Sequence, residues 1–230
     1  MELLTVLRTA AISSALFLAS CVPEKFDHPI CHAPPKIGSD TEIQKFASGY
    51  FPPEYGDPSS GCNYRAGPTA IIGEVEREWY PRQWAAASEP SLYEAAQCNA
   101  LPDFVLRFSY IPSFDPSVFI RVQSDGDGLK LTASEMTGAG GYDPGEVGRT
   151  KEVRLSEKQA FELREMLDAQ ALFEEKPDIC QAGLDGSSWI FELVDKDGYR
   201  MVKRWSPEDG AAHNLGILLI EFTDWSFEPY

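Results

Sequence analysis

Histidine and the positively charged residues are scarce in this chain. Its 230 residues include three histidines, and 20 lysines and arginines stand against 36 aspartates and glutamates, which gives a net charge of −16. An acidic surface repels nucleic acid and anionic lipid headgroups, and it attracts basic proteins. We therefore expect no nucleic-acid partner, and a protein partner that is basic. A plainer interpretation, that the charge only keeps the protein soluble, stays open.

Motifs for catalysis, cofactors and metals are also missing. Beyond residue 68, His213 is the only histidine, and no Gly-x-Ser-x-Gly turn occurs, so the sequence offers no serine-hydrolase triad. Gly138-Ala139-Gly140-Gly141 precedes no helix start before Ser156, whereas a phosphate-binding loop leads directly into a helix. Asp125-Gly126-Asp127-Gly128 would place Ser134 where a calcium loop needs a bidentate acid. We predict no catalytic residue, no cofactor and no metal ion.

The one compact hydrophobic run near the N-terminus is short. It extends from Ala10 to Leu18, with Arg8 as a positive flank. Such a run cannot span a bilayer, and it has the size of the central region of a signal peptide. The residues that follow it, Leu18-Ala19-Ser20-Cys21, resemble the lipobox of bacterial lipoproteins.

The lipobox resemblance implies a compartment and an anchor. Residues 1–20 would be a lipoprotein signal peptide, and Cys21 would become the lipidated first residue of the mature protein. The chain would then contact the membrane through its lipid anchor. Val22 is uncharged, as in lipoproteins that reach the outer membrane. We therefore expect an outer-membrane lipoprotein that faces the periplasm.

Four cysteines remain if Cys21 carries the lipid: Cys31, Cys62, Cys98 and Cys180. An even number of cysteines in an oxidising compartment predicts two disulfides. Three connectivities are possible. The order along the chain favours Cys31–Cys62 and Cys98–Cys180.

The hydrophobic pattern divides the mature chain into two parts. Residues 21–68 are rich in proline and glycine and show no sustained period, which predicts a lipidated tether with loops. Residues 69–230 show strand and helix periods, which predict one globular domain. Turn sequences at Asp125–Gly128 and Asp195–Gly198 predict two hairpins. The order of elements predicts an α+β fold, in which an antiparallel sheet built from hairpins carries helices on one face.

Helix signals occur at four places. A first amphipathic segment starts near Ile71, and Pro81 is expected to interrupt it. Ser91 is a candidate N-cap for a short helix, and Ser156 is the N-cap of the clearest helix in the chain. Ser206, followed by a proline, is the predicted N-cap of the last helix.

Four segments of the globular part resemble recurrent pieces of a group of uncharacterised bacterial proteins. They are Glu89-Pro90-Ser91-Leu92, Gly138-Ala139-Gly140-Gly141-Tyr142, Leu184-Asp185-Gly186-Ser187-Ser188-Trp189 and Arg204-Trp205-Ser206-Pro207. The resemblance covers about residues 70–225 and implies a shared fold, but it implies no activity. Within these segments, the candidate residues for contact with a ligand or partner are Gly140, Gly141, Tyr142, Asp185 and Arg204.

Two functional hypotheses follow from the sequence. The first is an envelope-anchored lipoprotein whose acidic, non-catalytic domain binds a macromolecule, in one version as an inhibitor or immunity-type protein. The alternative is a carboxylate-dependent hydrolase or binder of cell-wall glycans. A deep cleft with two facing acids would favour the alternative, and a flat acidic patch would favour the first hypothesis.

Overall fold

The computed structural model describes residues 49–65, 67–181 and 183–230. The predicted signal peptide, the lipid-attachment residue Cys21 and the predicted disulfide residue Cys31 lie outside these residues. The α-helices are α1 (Glu74–Ala86), α2 (Leu92–Gln97), α3 (Glu157–Gln170) and α4 (Gly210–Glu221). The strands are β1 (Asn63–Tyr64), β2 (Gly67–Pro68), β3 (Val105–Pro112), β4 (Val118–Asp125), β5 (Gly128–Met136), β6 (Val147–Arg154), β7 (Ser187–Asp195) and β8 (Gly198–Trp205).

Six strands form one antiparallel sheet in the order β6-β5-β4-β3-β7-β8. The predicted hairpin turns close β4–β5 and β7–β8, where Asp125 pairs with Gly128 and Asp195 pairs with Gly198. The predicted α+β fold with a hairpin-built antiparallel sheet is therefore confirmed. Strands β1 and β2 form a separate two-stranded ladder.

The helices α3 and α4 pack on one face of the large sheet. Side chains of alternate residues, such as Leu106 and Phe108 of β3, point into this core and are fully buried. Leu163 of α3 and Leu219 of α4 belong to the same buried core and cover this face of the sheet. Ser156 caps α3 as predicted, because its hydroxyl accepts a hydrogen bond from the backbone N–H of the third helical residue.

The opposite face of the sheet is covered as well. Ile190 of β7 and Met201 of β8 pack there against Trp84 of α1. Tyr50 stacks on Trp84 with ring centroids 5.0 Å apart, and Phe51 belongs to the same buried cluster. Part of the segment predicted as tether and loops thus belongs to the packed domain. Helices lie on both faces of the sheet, whereas the sequence predicted them on one.

Two helix boundaries differ from the predicted ones. Pro81 lies inside α1, which continues to Ala86. The lost backbone hydrogen bond is offset because Tyr80 and Trp84, on either side of the proline, are both fully buried. The last helix begins at Gly210 with Asp209 as its N-cap residue, and Ser206 instead has a left-handed φ of 38°.

The predicted cysteine pairing is wrong. Cys62 and Cys180 form a disulfide with Cα atoms 5.4 Å apart. This bond excludes both Cys31–Cys62 and Cys98–Cys180. Cys98 is disulfide-bonded too. Order along the chain failed as a guide because the segment before β1 lies against the loop before β7, 118 residues away.

Candidate binding groove

Exposed hydrophobic residues concentrate around one depression of the surface. Nine large hydrophobic side chains are exposed among the described residues, and four of them surround a single groove of about 580 Å³. These are Leu184 (94% exposed), Val75 (77%), Tyr142 (69%) and Phe114 (56%). Trp79 and Trp205, both half-buried, complete its apolar lining. We call this depression the Trp79–Trp205 groove.

One face of α1 forms one wall of the groove. Val75, Glu78, Trp79 and Arg82 line it. Their spacing of three, four and seven residues places all four side chains on one side of a helix. The burial of Tyr80 and Trp84 on the other side of α1 against the sheet turns this wall outward.

The glycine-rich loop between β5 and β6 is fixed to α1 beside the groove. The carbonyl of Gly140 accepts hydrogen bonds from Trp79 Nε1 and from Gln83 Nε2, each at 2.8 Å. A Cβ atom on Gly140 would lie 2.6 Å from the carbonyl oxygen of Pro112, so the close approach requires glycine. The loop thereby presents Tyr142, whose ring lies 6.4 Å from that of Phe114.

The loop before β7 supplies the remaining wall. Backbone N–H and hydroxyl of Ser113 donate hydrogen bonds to the carbonyl of Gly186 at 2.8 and 2.9 Å. A Cβ atom on Gly186 would lie 2.8 Å from the indole of Trp205, so this loop also packs on its neighbour through a glycine. Leu184 and Asp185 are held at the groove by these contacts.

The charged residues of the groove are mostly acidic. Glu78, Asp185 and Arg82 line it, and within the described part of the chain none of the three forms a salt bridge. Further exposed acids, Glu74, Asp115 and Asp143, directly adjoin the exposed Val75, Phe114 and Tyr142 in sequence. An incoming group therefore meets an apolar surface whose lining acids, Glu78 and Asp185, have no salt bridge among the described residues.

A second, smaller depression adjoins the groove and shares Val75, Trp79 and Trp205 with it. Two of its acids are paired with one lysine. Lys203 Nζ lies 2.8 Å from Glu76 Oε1 and 3.3 Å from Asp178 Oδ2. These two carboxylates therefore share one lysine and do not form a free catalytic pair.

A serine in the smaller depression also lacks a base. Ser188 Oγ lies 3.1 Å from the hydroxyl of Tyr80, which in turn donates to Glu76 at 3.0 Å. Burial raises the pKa of Tyr80 well above its usual value, so the phenol stays protonated at neutral pH. These hydrogen bonds connect α1 to the start of β7, but they do not activate Ser188 as a nucleophile.

The structure assigns different surroundings to the five predicted contact residues. Gly141, Tyr142 and Asp185 line the Trp79–Trp205 groove, and Gly140 fixes the loop that carries two of them. Arg204 is 4% exposed. Its guanidinium donates hydrogen bonds to Glu175 at 2.5 Å and to the carbonyls of residues 176 and 177. It supports the loop before β7.

Sequence reasoning missed the buried ion network behind α1. Arg107 is fully buried and donates from Nε to Glu192 at 2.7 Å and from a terminal nitrogen to the carbonyl of Pro90 at 2.6 Å. Glu89 bonds Arg121 at 3.1 Å and lies 3.5 Å from Arg107. Burial raises the pKa of Glu192, while the adjacent Arg107 opposes that effect. The network is buried except for Arg121, whose side chain is 22% exposed, and it joins the sheet to the segment between α1 and α2.

No group of three or more metal-ligating side chains is close enough to hold a metal ion in residues 49–65, 67–181 and 183–230. In the same ranges, no helix has the length and apolar character needed to cross a bilayer. Comparison with protein-family models and with curated proteins found no match to the sequence.

Proposed function

We propose that this chain is a lipid-anchored protein of the bacterial envelope whose acidic domain binds a basic protein and catalyses no reaction. The observation that carries the proposal is the Trp79–Trp205 groove, an open apolar surface with free carboxylates on an acidic domain. In soluble proteins, a large contiguous patch of exposed apolar side chains often marks an interaction site, whereas single exposed apolar residues are common. An inhibitor or immunity-type protein is one form of such a binder.

The glycan hydrolase alternative has less support. Glycoside cleavage needs two carboxyl groups that face each other across the substrate. In the smaller depression, Glu76 and Asp178 are both bound to Lys203. In the Trp79–Trp205 groove, Glu78 and Asp185 lie beside the exposed aliphatic side chains of Val75 and Leu184, which offer no hydrogen bonds to the hydroxyls of a sugar.

The binding function can be tested with the chain from residue 22 onward, produced in an oxidising compartment and immobilised. We expect it to retain a basic protein from envelope extract at low salt, and to retain much less of it at high salt, because exposed charges are screened over about 8 Å at physiological ionic strength. In parallel, the chain is assayed on peptidoglycan and on common ester and glycoside substrates. Turnover that disappears when one acid is replaced would contradict the proposal.

The anchor is tested separately. Wild-type protein should fractionate with membranes and incorporate labelled palmitate, and Cys21→Ala should do neither. Cys180→Ala serves as the matched control, because that cysteine belongs to the disulfide with Cys62 and not to the proposed anchor. An unmodified wild-type protein with unchanged membrane association would refute the lipid anchor and leave the binding proposal standing.

A further inference from the structure

We infer that the Trp79–Trp205 groove docks a segment of a basic protein that inserts an apolar side chain and flanks it with arginine or lysine. This inference rests on the proposed function and specifies its site and the chemistry of the partner. It rests on three features that occur together: exposed apolar residues, loops held by hydrogen bonds, and carboxylates without a salt bridge in the described residues.

The exposed apolar side chains of the groove are clustered. Leu184, Val75, Tyr142 and Phe114 come from four separate parts of the chain and meet at one groove. Phe161 of α3 is equally exposed, at 63%, but it does not line this groove. Clustered aromatic and aliphatic side chains over half-buried tryptophans are the composition of an interface centre.

The groove is also preformed. Hydrogen bonds from Trp79 to Gly140 and from Ser113 to Gly186 fix the two loops that carry Tyr142 and Leu184. A surface that is ordered before binding loses little conformational entropy when the partner arrives. The exposed side chains are therefore positioned for docking in the free protein.

Charge selects the occupant. Glu78 and Asp185 lie in the groove without a salt bridge in the described residues, and Arg82 is the single basic residue among its lining. A second copy of this chain would bring another net charge of −16 to the contact, so like-charge repulsion opposes self-association. A partner segment with arginine or lysine beside an apolar side chain can pair with the acidic residues of the groove and pack on its apolar residues.

The experiment uses the chain from residue 22 onward and three fluorescein-labelled peptides of twelve residues. One alternates leucine with arginine, one alternates serine with arginine, and one alternates leucine with glutamate. Binding is followed by fluorescence anisotropy at low and at high salt. The groove variants are Leu184→Ser with Tyr142→Ser, and Glu78→Gln with Asp185→Asn. The matched controls are Phe161→Ser and Glu162→Gln, which change an exposed hydrophobic residue and an exposed acid on α3.

We expect the leucine–arginine peptide to bind best and the leucine–glutamate peptide not to bind. The Leu184→Ser/Tyr142→Ser variant should bind about tenfold more weakly, as for the loss of interface anchors. The Glu78→Gln/Asp185→Asn variant should bind several-fold more weakly and with less dependence on salt. Both controls should match the wild type. All changed residues are exposed, so equal urea midpoints will show that the variants fold.

Two results would overturn the inference. If the leucine–arginine peptide binds wild type and both groove variants equally, the groove is not the docking site, although binding of a basic partner by the domain would stand. If soluble peptidoglycan fragments bind instead, and the Leu184→Ser/Tyr142→Ser variant abolishes that binding, the occupant is a glycan.

Discussion

Replacing Arg107 by methionine is expected to destabilise the fold strongly. Its guanidinium is fully buried, 2.7 Å from Glu192 Oε2 and 2.6 Å from the carbonyl of Pro90. After the replacement, the carboxylate of Glu192 remains buried with the hydroxyl of Tyr199, 2.9 Å away, as its donor. Breaking a buried ion pair from one side costs about 3–5 kcal/mol of the free energy of unfolding.

The pH dependence of this loss has a definite sign. Burial raises the pKa of Glu192 above its usual value of 4.5 even with Arg107 present. Without the arginine, the folded variant gains by protonating Glu192, and the unfolded chain protonates it only near its usual pKa. The loss caused by Arg107→Met should therefore shrink as the pH is lowered from neutral toward 4.5, the usual pKa of a glutamate.

Urea denaturation followed by tryptophan fluorescence measures these differences. The double variant Arg107→Met with Glu192→Leu should recover a large part of the loss, because no charge is then left unpaired. Arg154→Met is the matched control. Its partner Asp125 lies 2.7 Å away at the surface, so the expected change is below about 1 kcal/mol. Two results would contradict this prediction. Arg107→Met would lower the free energy of unfolding no more than Arg154→Met does, or the double variant would be no more stable than Arg107→Met alone.

Three further outcomes are expected. Cys62→Ala with Cys180→Ala opens a loop of 118 residues and should lower the free energy of unfolding by about 5 kcal/mol relative to the oxidised wild type on the chain-entropy estimate, measured by urea denaturation. The reduced wild type also loses the disulfide of Cys98 and should be less stable than this variant. Burial raises the pKa of Tyr199, so its protonated phenol stabilises the fold fully below about pH 10, and this stabilisation is lost as the pH rises further. Because phenylalanine does not titrate, Tyr199→Phe should reduce the loss of stability at alkaline pH by up to about 1.4 kcal/mol per pH unit. Ser156→Ala removes the N-cap of α3 and should cost about 1 kcal/mol by urea denaturation, and an unchanged midpoint would contradict the capping role.

The parts of the fold that sequence predicts well are those set by neighbouring residues. Ser156 caps α3, and the Asp-Gly turns close the hairpins, because backbone geometry over a few residues decides both. Pro81 was predicted to end a helix by the same local reasoning. There the burial of Tyr80 and Trp84 against the sheet outweighs the local cost.

Long-range features were the ones that sequence did not reveal. The partner of Cys62 depends on the packing of the segment before β1 against the loop before β7, which no local pattern records. In the groove, Tyr142 and Asp185 are candidates from the sequence because they lie in segments that resemble recurrent pieces of a group of uncharacterised bacterial proteins. Val75 and Leu184 were not candidates, because an exposed aliphatic residue and a core residue look alike until burial is known.

Cross-linking in living cells can show whether the Trp79–Trp205 groove binds a basic protein in the envelope. A photoreactive phenylalanine analogue is placed at Tyr142 or, as the control, at Phe161, which are 69% and 63% exposed. We expect an adduct with a basic protein from position 142 that is absent from position 161 and is lost when Leu184→Ser is added. The same adducts from both positions, or no protein adduct from position 142, would contradict it.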